Sequence, residues 1–261
     1  MMFKEMPLID KKIIITRAQE QNSYACEIFK KHGAEVFDFP SLIIGPPDDW
    51  TPLDKAVENI CTFDWIIFSS ANGVRNVEQR MKKFNLSLSE ISKKIKIAAV
   101  GRKTADLLAD IDAKTNFIPS RFIADSLVND FPQNPKDLKL FIPRVQTGGR
   151  SILSDSFKSK GAEVTEVAAY ESSCPQTLPQ QTVDALRIGV IDIIAFTSSK
   201  TVINTVSLLK KYFGEKCFEL MNEIKIVSIG PQTSISCTNL IRKPDKEASP
   251  HDLEGLLQAC L

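Results

Sequence analysis

Short apolar runs alternate with helix-spaced apolar stripes along most of the chain. Ile13–Ile15, Trp65–Phe68, Ile97–Val100 and Ile191–Phe196 are mostly unbroken apolar runs. Such runs suit strands buried on both faces of a parallel sheet. Between and after them, apolar residues recur at every third or fourth position: Val74, Val77, Met81 and Phe84, then Val202, Val206, Leu209 and Phe213. Ile123, Leu127 and Phe131 form a further stripe, as do Leu253, Leu256 and Leu257. That spacing lines one face of a helix. Strand and helix patterns in alternation predict right-handed βαβ units and doubly wound α/β sheets. Gly45-Pro-Pro47, Pro132–Pro135 and Cys174–Pro179 read as loops. Asp38-Phe-Pro40 and Ala169-Tyr-Glu171 read as extended connectors, the first because a residue before proline is pushed away from helix.

The pattern occurs twice. Asp64-Trp-Ile-Ile-Phe-Ser-Ser-Ala-Asn-Gly-Val74 matches Asp192-Ile-Ile-Ala-Phe-Thr-Ser-Ser-Lys-Thr-Val202. Lys96-Ile-Ala-Ala-Val-Gly-Arg-Lys-Thr-Ala105 matches Lys225-Ile-Val-Ser-Ile-Gly-Pro-Gln-Thr-Ser234. Ile13–Arg17 followed by Gly33-Ala-Glu-Val36 matches Leu140–Arg144 followed by Gly161-Ala-Glu-Val164. The matched positions stand 127 to 129 residues apart, about half of the 261 in the chain. Three pairs in one register imply a tandem duplication. Taken alone, the repeat suggests a cut near Pro132.

Polar turns follow the predicted strands, where ligands of open α/β sheets bind. They are Ser69 and Ser70, Gly101 and Thr104, Thr197 with Ser198 and Ser199, and Gly230 with Thr233; Arg17 and Arg144 each close a strand. Ser and Thr cap helices, and free N–H groups at helix N-termini hold anions. Each turn taken singly is more simply an N-cap, and the glycines simply permit tight turns. Recurrence in both halves is what favours a ligand bearing many carboxylates or phosphates. Gly148-Gly149-Arg150 reads either as a plain loop or as an anion cradle. Glu20, Glu27, Glu35, Glu163 and Glu166 read as solvated charges.

Composition narrows the choice. A net charge of +1 leaves no basic footprint for nucleic acid or an acidic membrane. No apolar run approaches the ~20 residues of a membrane span, and Met1–Lys12 lacks the apolar core of a signal peptide. Six scattered cysteines without C-x-x-C favour free thiols in the cytosol. With two distant histidines, His32 and His251, a metal site has little to build on, and none is expected. His32, just before Gly33, fits a helix end better. G-x-G-x-x-G, the P-loop and G-x-S-x-G are absent.

In order and spacing, Ile13–Arg17, Gly33–Val36 with Pro40, Phe68–Val74, Val100–Thr104, Pro143-Arg144 with Gly149-Arg150, Tyr170, Phe196–Ser199 and Ile229–Thr233 resemble the uroporphyrinogen-III synthase family over nearly the whole chain. The resemblance implies two similar flavodoxin-like lobes, each a parallel sheet flanked by helices, joined by a two-stranded antiparallel connector. Lobe 1 would comprise residues 1–35 and 173–261, lobe 2 residues 45–162, and the connectors 36–44 and 163–172. It implies a cytoplasmic monomeric lyase of haem biosynthesis that needs no cofactor. Its small-molecule substrate is hydroxymethylbilane, a linear tetrapyrrole with eight carboxylates. Water is lost and the last ring inverted as the macrocycle closes. Tyr170 matches the family's connector tyrosine, either a proton donor or an aromatic packed at the hinge. Arg17, Ser69, Ser70, Gly101, Thr104, Arg144, Arg150, Thr197, Ser198, Ser199, Gly230 and Thr233 would bind substrate. Val145 stands where many members carry Gly, and Ala18 where many carry Pro. Two other readings remain: a tetrapyrrole-binding or sensor protein on the same scaffold, and a two-lobed sugar-nucleotide enzyme.

Overall fold

The computed structural model describes residues 6–18, 22–120, 124–148 and 152–261. The elements begin with β1 (Lys12–Ala18), α1 (Asn22–Lys31), β2 (Glu35–Gly45), α2 (Thr51–Glu58), β3 (Trp65–Phe68), α3 (Ala71–Lys82), α4 (Leu88–Ile91), β4 (Lys96–Ala99) and α5 (Arg102–Asp110). Next come α6 (Ala124–Asn129), β5 (Lys139–Val145), α7 (Ile152–Ser159), β6 (Glu163–Ser173), α8 (Gln180–Arg187) and β7 (Ile193–Phe196). The chain ends with α9 (Ser199–Phe213), α10 (Cys217–Glu223), β8 (Lys225–Ser228), α11 (Pro231–Leu240), β9 (Lys246–Glu247) and α12 (Leu253–Cys260). Met1–Ile43 with Ser173–Leu261 forms one compact unit, and Ile44–Ser172 the other.

In the first unit the strands lie in the order β2-β1-β7-β8-β9, all parallel. Numbered along the chain this is 2-1-3-4-5, the flavodoxin order, whose direction of winding reverses between β1 and β7. In the second unit the order is β4-β3-β5-β6, again parallel. A bridge from Ala98 to Phe117 continues it past β4, where the first unit has β9. The two sheets are therefore the same sheet, entered by the chain at different strands: β5, β6, β3 and β4 correspond to β1, β2, β7 and β8.

Strand alternation explains the two-sided cores. Ile14, Ile194, Phe196 and Ile226 pack with Val183, Val202 and Met221 on one face of the first sheet. Ile13, Ile15, Ile193 and Val227 pack with Phe29, Leu256 and Leu257 on the other. In the second unit Ile66, Phe68, Ile97 and Phe141 meet Val57, Val74, Val77 and Leu108. Trp65, Ile67, Leu140 and Ile142 meet Leu127 and Phe157. The predicted stripes accordingly lie in α3, α6, α9 and α12, with Phe84 and Phe131 just past their helices; Ile123 lies outside the described residues. The Phe131 ring closes against Trp65 at 4.8 Å and Phe157 at 5.0 Å.

The stretches read as connectors are two 11-residue strands, β2 and β6. Their leading parts are sheet strands: Lys12↔Glu35 through Ala18↔Leu42, and Lys139↔Glu163 through Val145↔Tyr170. Both carry a register shift at the same place, after Arg17 and after Arg144. A bulge of this kind re-aims the side chains that follow it. Among the described residues, no helix is long and apolar enough to cross a membrane.

Candidate functional site

The predicted polar positions lie at the carboxyl ends of the strands. In the second unit, Ser70 is the N-cap of α3, and its Oγ accepts from Gly73 N at 3.1 Å. The same Oγ lies 3.0 Å from the Tyr170 hydroxyl. The β6 bulge makes this contact possible. It turns Tyr170, only 8% exposed, onto the apolar face shared with Phe68, Val74 and Phe141. Burial raises the Tyr170 pKa; the Ser70 hydrogen bond pulls it back, and the nearby Glu171 carboxylate pushes it further up. The phenol therefore keeps its proton at neutral pH and is available as a donor.

The strand on which Tyr170 sits is held by its neighbours. Gln146 N donates to Tyr170 O at 2.8 Å. The Gln146 side chain exchanges hydrogen bonds with Asp48, accepting from its backbone N at 2.7 Å and donating to Oδ2 at 2.6 Å. Glu171 Oε1 accepts from Thr147 Oγ1 and Ser172 N, both at 2.7 Å. Ser69 is exposed. Gly101 caps α5 with no side chain, and a Cβ there would meet nothing within 4 Å. Thr104 is buried in the first turn of α5.

In the first unit the hydroxyls are occupied by the fold. Ser198 Oγ accepts from Thr201 N at 3.2 Å, and Thr201 Oγ1 accepts from Ser198 N at 3.2 Å, closing a capping box at α9. Thr16, fully buried, donates its hydroxyl across to Ala195 O at 3.2 Å and lies 3.0 Å from Thr201 Oγ1. Thr197 Oγ1 donates to Thr16 O, and Ser199 Oγ donates to Gln232 O at 2.9 Å. Thr233 is buried in α11. What these turns leave over is backbone N–H at helix starts.

Gly230 differs from Gly101. Its backbone is extended, and a Cβ there would lie 3.3 Å from His251 Cγ. The glycine makes room for the His251 ring, whose Nδ1–H donates to Ala248 O at 2.8 Å. His32 Nδ1 meets Ile28 O at 2.9 Å, at the helix end expected of it.

The two repeat-related arginines also differ. Arg144 pairs with Glu166 at 3.1 Å, so Glu166 is an ion-pair partner and not a merely solvated charge. Arg17 has no carboxylate partner among the described residues. Burial lowers its pKa, opposed by the neighbouring Cys26. Arg150 lies outside the described residues.

Several of these residues escaped the sequence reading. Gln146 carries no motif, and Thr16, Thr201 and Glu171 lie inside segments read from sequence without standing out there; only the repeat register shows that the Tyr170 position corresponds to Leu42, so that the phenol belongs to one half alone.

Two α/β units of duplicated design, each with helix starts along its carboxyl edge, define a duplicated open-sheet protein. Comparison with known proteins narrows the class. The sequence profile described as "Uroporphyrinogen-III synthase HemD" matches residues 23–258. The uroporphyrinogen-III synthase of Synechococcus elongatus is 44% identical over 98% of this chain and 96% of its own. A putative uroporphyrinogen-III synthase of Methanothermobacter thermautotrophicus is 26% identical over 84% of this chain and 85% of its own. Among solved structures, a mutant uroporphyrinogen III synthase of Thermus thermophilus matches with a TM-score of 0.64 at 17% identity, over 94% of this chain and 96% of its own. The Helicobacter pylori uroporphyrinogen-III synthetase has the same fold, with a TM-score of 0.62 at 17% identity over 96% and 98% of the two chains. The chain belongs to the uroporphyrinogen-III synthase family.

Proposed function

We propose that this chain is a uroporphyrinogen-III synthase, a lyase of porphyrin and haem biosynthesis that closes hydroxymethylbilane into uroporphyrinogen III. The observation that carries the reading is the 44% identity to the Synechococcus elongatus synthase over almost the full length of both chains. The pairing of Tyr170 with Ser70 at a strand's carboxyl end supplies the chemistry. The hydroxymethyl C–O bond breaks as the pyrrole nitrogen pushes electrons into the ring, giving an azafulvene-type cation. The departing oxygen takes a proton from Tyr170 and leaves as water. The far pyrrole carbon then forms the new C–C bond, through a spiro intermediate that inverts the last ring. A ring proton is released as aromaticity returns, and it restores the phenol.

The reaction needs a flexible chain held in one shape more than it needs strong acid or base, so orientation supplies much of the rate. Arg17 and the helix starts at Ser70, Gly101, Ser198 and Gly230 would hold carboxylate arms. Ser69, Thr104, Thr197, Ser199 and Thr233 shape those turns, Arg144 braces β5, and Arg150 completes the binding set on the family pattern. The enzyme would act as a cytoplasmic monomer without a cofactor; its six free cysteines fit a reducing compartment. The test is incubation with hydroxymethylbilane. The substrate should vanish faster than it closes unaided, and the ring formed should be type III.

A further inference from the structure

We propose that Gly73 is a positioning residue for the reaction: its missing side chain keeps open the space in which Tyr170 meets Ser70, and so confines the proton donor to one half of the duplicated fold. The inference rests on the proposed function and adds to it what holds the donor in place.

The duplication supplies the comparison. In the repeat register, Gly73 and Pro143 stand where the first unit has Thr201 and Thr16, and Tyr170 stands where it has Leu42. The two threonines are buried, and their hydroxyls lie 3.0 Å apart, tying the start of α9 to the end of β1. Thr201 Oγ1 also donates to Ser198 O at 2.8 Å. Hydroxyls thus fill the ground between helix start and strand end. In the second unit neither equivalent position has a hydroxyl to offer. Ser70, the counterpart of Ser198, still caps its helix through Gly73 N at 3.1 Å, but its Oγ meets the Tyr170 hydroxyl at 3.0 Å. These exchanges replace a Thr–Thr link by a Ser–Tyr link.

The space at Gly73 borders that link. A Cβ there would lie 3.5 Å from Ser70 Oγ, and 3.6 Å from both Phe68 Cδ1 and Pro143 O. These are ordinary contacts, so a methyl group fits. It would nevertheless stand against the atom that holds the phenol, and a γ atom one bond further out competes for the same ground.

The link matters most as the proton leaves. One lone pair of Ser70 Oγ is taken by Gly73 N. A phenolate oxygen accepts only, so Ser70 then donates to it. Such a bond strengthens as charge develops on the phenol, which lowers the barrier. A side chain that parts Tyr170 from Ser70 leaves that charge without its donor on an apolar face.

The test compares wild type, Gly73→Ala, Gly73→Thr, Tyr170→Phe and the Gly73→Thr/Tyr170→Phe double variant in turnover of hydroxymethylbilane, with a thermal melt of each. Gly73→Thr gives α3 the cap pair that α9 already has, so its melt should stay near wild type. The expected result for Gly73→Thr is a kcat about 10- to 100-fold lower at unchanged KM, with a smaller loss for Gly73→Ala. Adding Gly73→Thr to Tyr170→Phe should cost little more, because both act through one hydroxyl. Equal losses in the two backgrounds overturn the inference, as does wild-type kcat in Gly73→Thr or a loss confined to KM. Should Gly73→Thr not fold, Gly73→Ser brings the hydroxyl without the methyl and is judged by the same outcomes. Full activity of Tyr170→Phe overturns the inference and leaves the functional reading standing. A wild-type chain that forms no type III ring overturns that reading itself.

Discussion

At the scale of single residues, the duplication acts as an internal control. Arg17 and Arg144 occupy the same place in the two halves, and Arg144 pairs with Glu166 on the adjacent strand, whereas Arg17 has no carboxylate partner among the described residues. On the proposed binding role, Arg17→Gln should raise KM about tenfold and leave the melt nearly unchanged, because a charge-assisted contact would be lost and no carboxylate among the described residues would be stranded. Arg144→Gln should do the reverse, costing about 1 kcal/mol of stability with little change in KM. Steady-state kinetics and urea melts of the two variants separate these outcomes. Tyr170→Phe removes one hydroxyl and keeps the packed ring. A single general acid contributes roughly 10²–10⁴-fold; the low end or less is expected here, because the substrate's own nitrogen expels the leaving group. The product should remain mainly type III, and an assay finding full activity would remove Tyr170 from the chemistry. Arg17 and Arg144 stood out in the sequence through the repeat, and Tyr170 through the family resemblance. The hydrogen bond between Tyr170 and Ser70 was not legible there, because only packing brings two hydroxyls 100 residues apart together.

At the scale of elements, strand ends and helix starts do most of the positioning. The apolar runs and capping residues foretold β3, β4, β7 and β8 with the helices that follow them, since burial on both faces and N-caps leave plain traces in sequence. The bulges in β2 and β6 left none: one extra residue, Ser41 or Ala169, alters no periodicity that so short a segment can show. The glycines at helix starts were alike in sequence and differ in structure. Gly101→Ala adds a Cβ with nothing within 4 Å, so stability should change by no more than about 0.5 kcal/mol. A large side chain at 101 should instead raise KM by covering the start of α5. Gly230→Ala brings a Cβ to 3.3 Å from the His251 ring and should cost about 1–3 kcal/mol, as overpacking does. Gly255→Ala is the severe case: its Cβ would fall 1.9 Å from Pro250 O, so α12 cannot keep its place. Melting temperatures in the order Gly101→Ala, Gly230→Ala, Gly255→Ala, falling steeply at the last, check the series.

At the scale of the whole molecule, one sheet design is used twice, and the chain enters it at different strands. The duplication was legible because its matched segments all stand 127 to 129 residues apart. The shared strand order was not, because sequence spacing does not say which strands pair. Burial in the first unit also sets a pH limit. Cys237 and Cys260 have their thiol pKa pushed up to about 12 by desolvation, from 9.0. The unfolded chain therefore releases these protons first. Their contribution is whole below about pH 9 and is lost as pH rises toward 12, at up to about 1.4 kcal/mol per pH unit for each group. Urea melts from pH 8 to 11 should show falling stability, flatter when both cysteines are replaced by Ala; an unchanged slope would contradict the burial argument. The central claim is that this chain holds hydroxymethylbilane so that the last ring is inverted before closure. Its most direct test is the isomer ratio of the macrocycle formed by purified enzyme, oxidised to porphyrin and separated by chromatography, beside an enzyme-free control. Mostly type III is expected with enzyme and type I without. Type I alone, formed at the same rate in both, would contradict it.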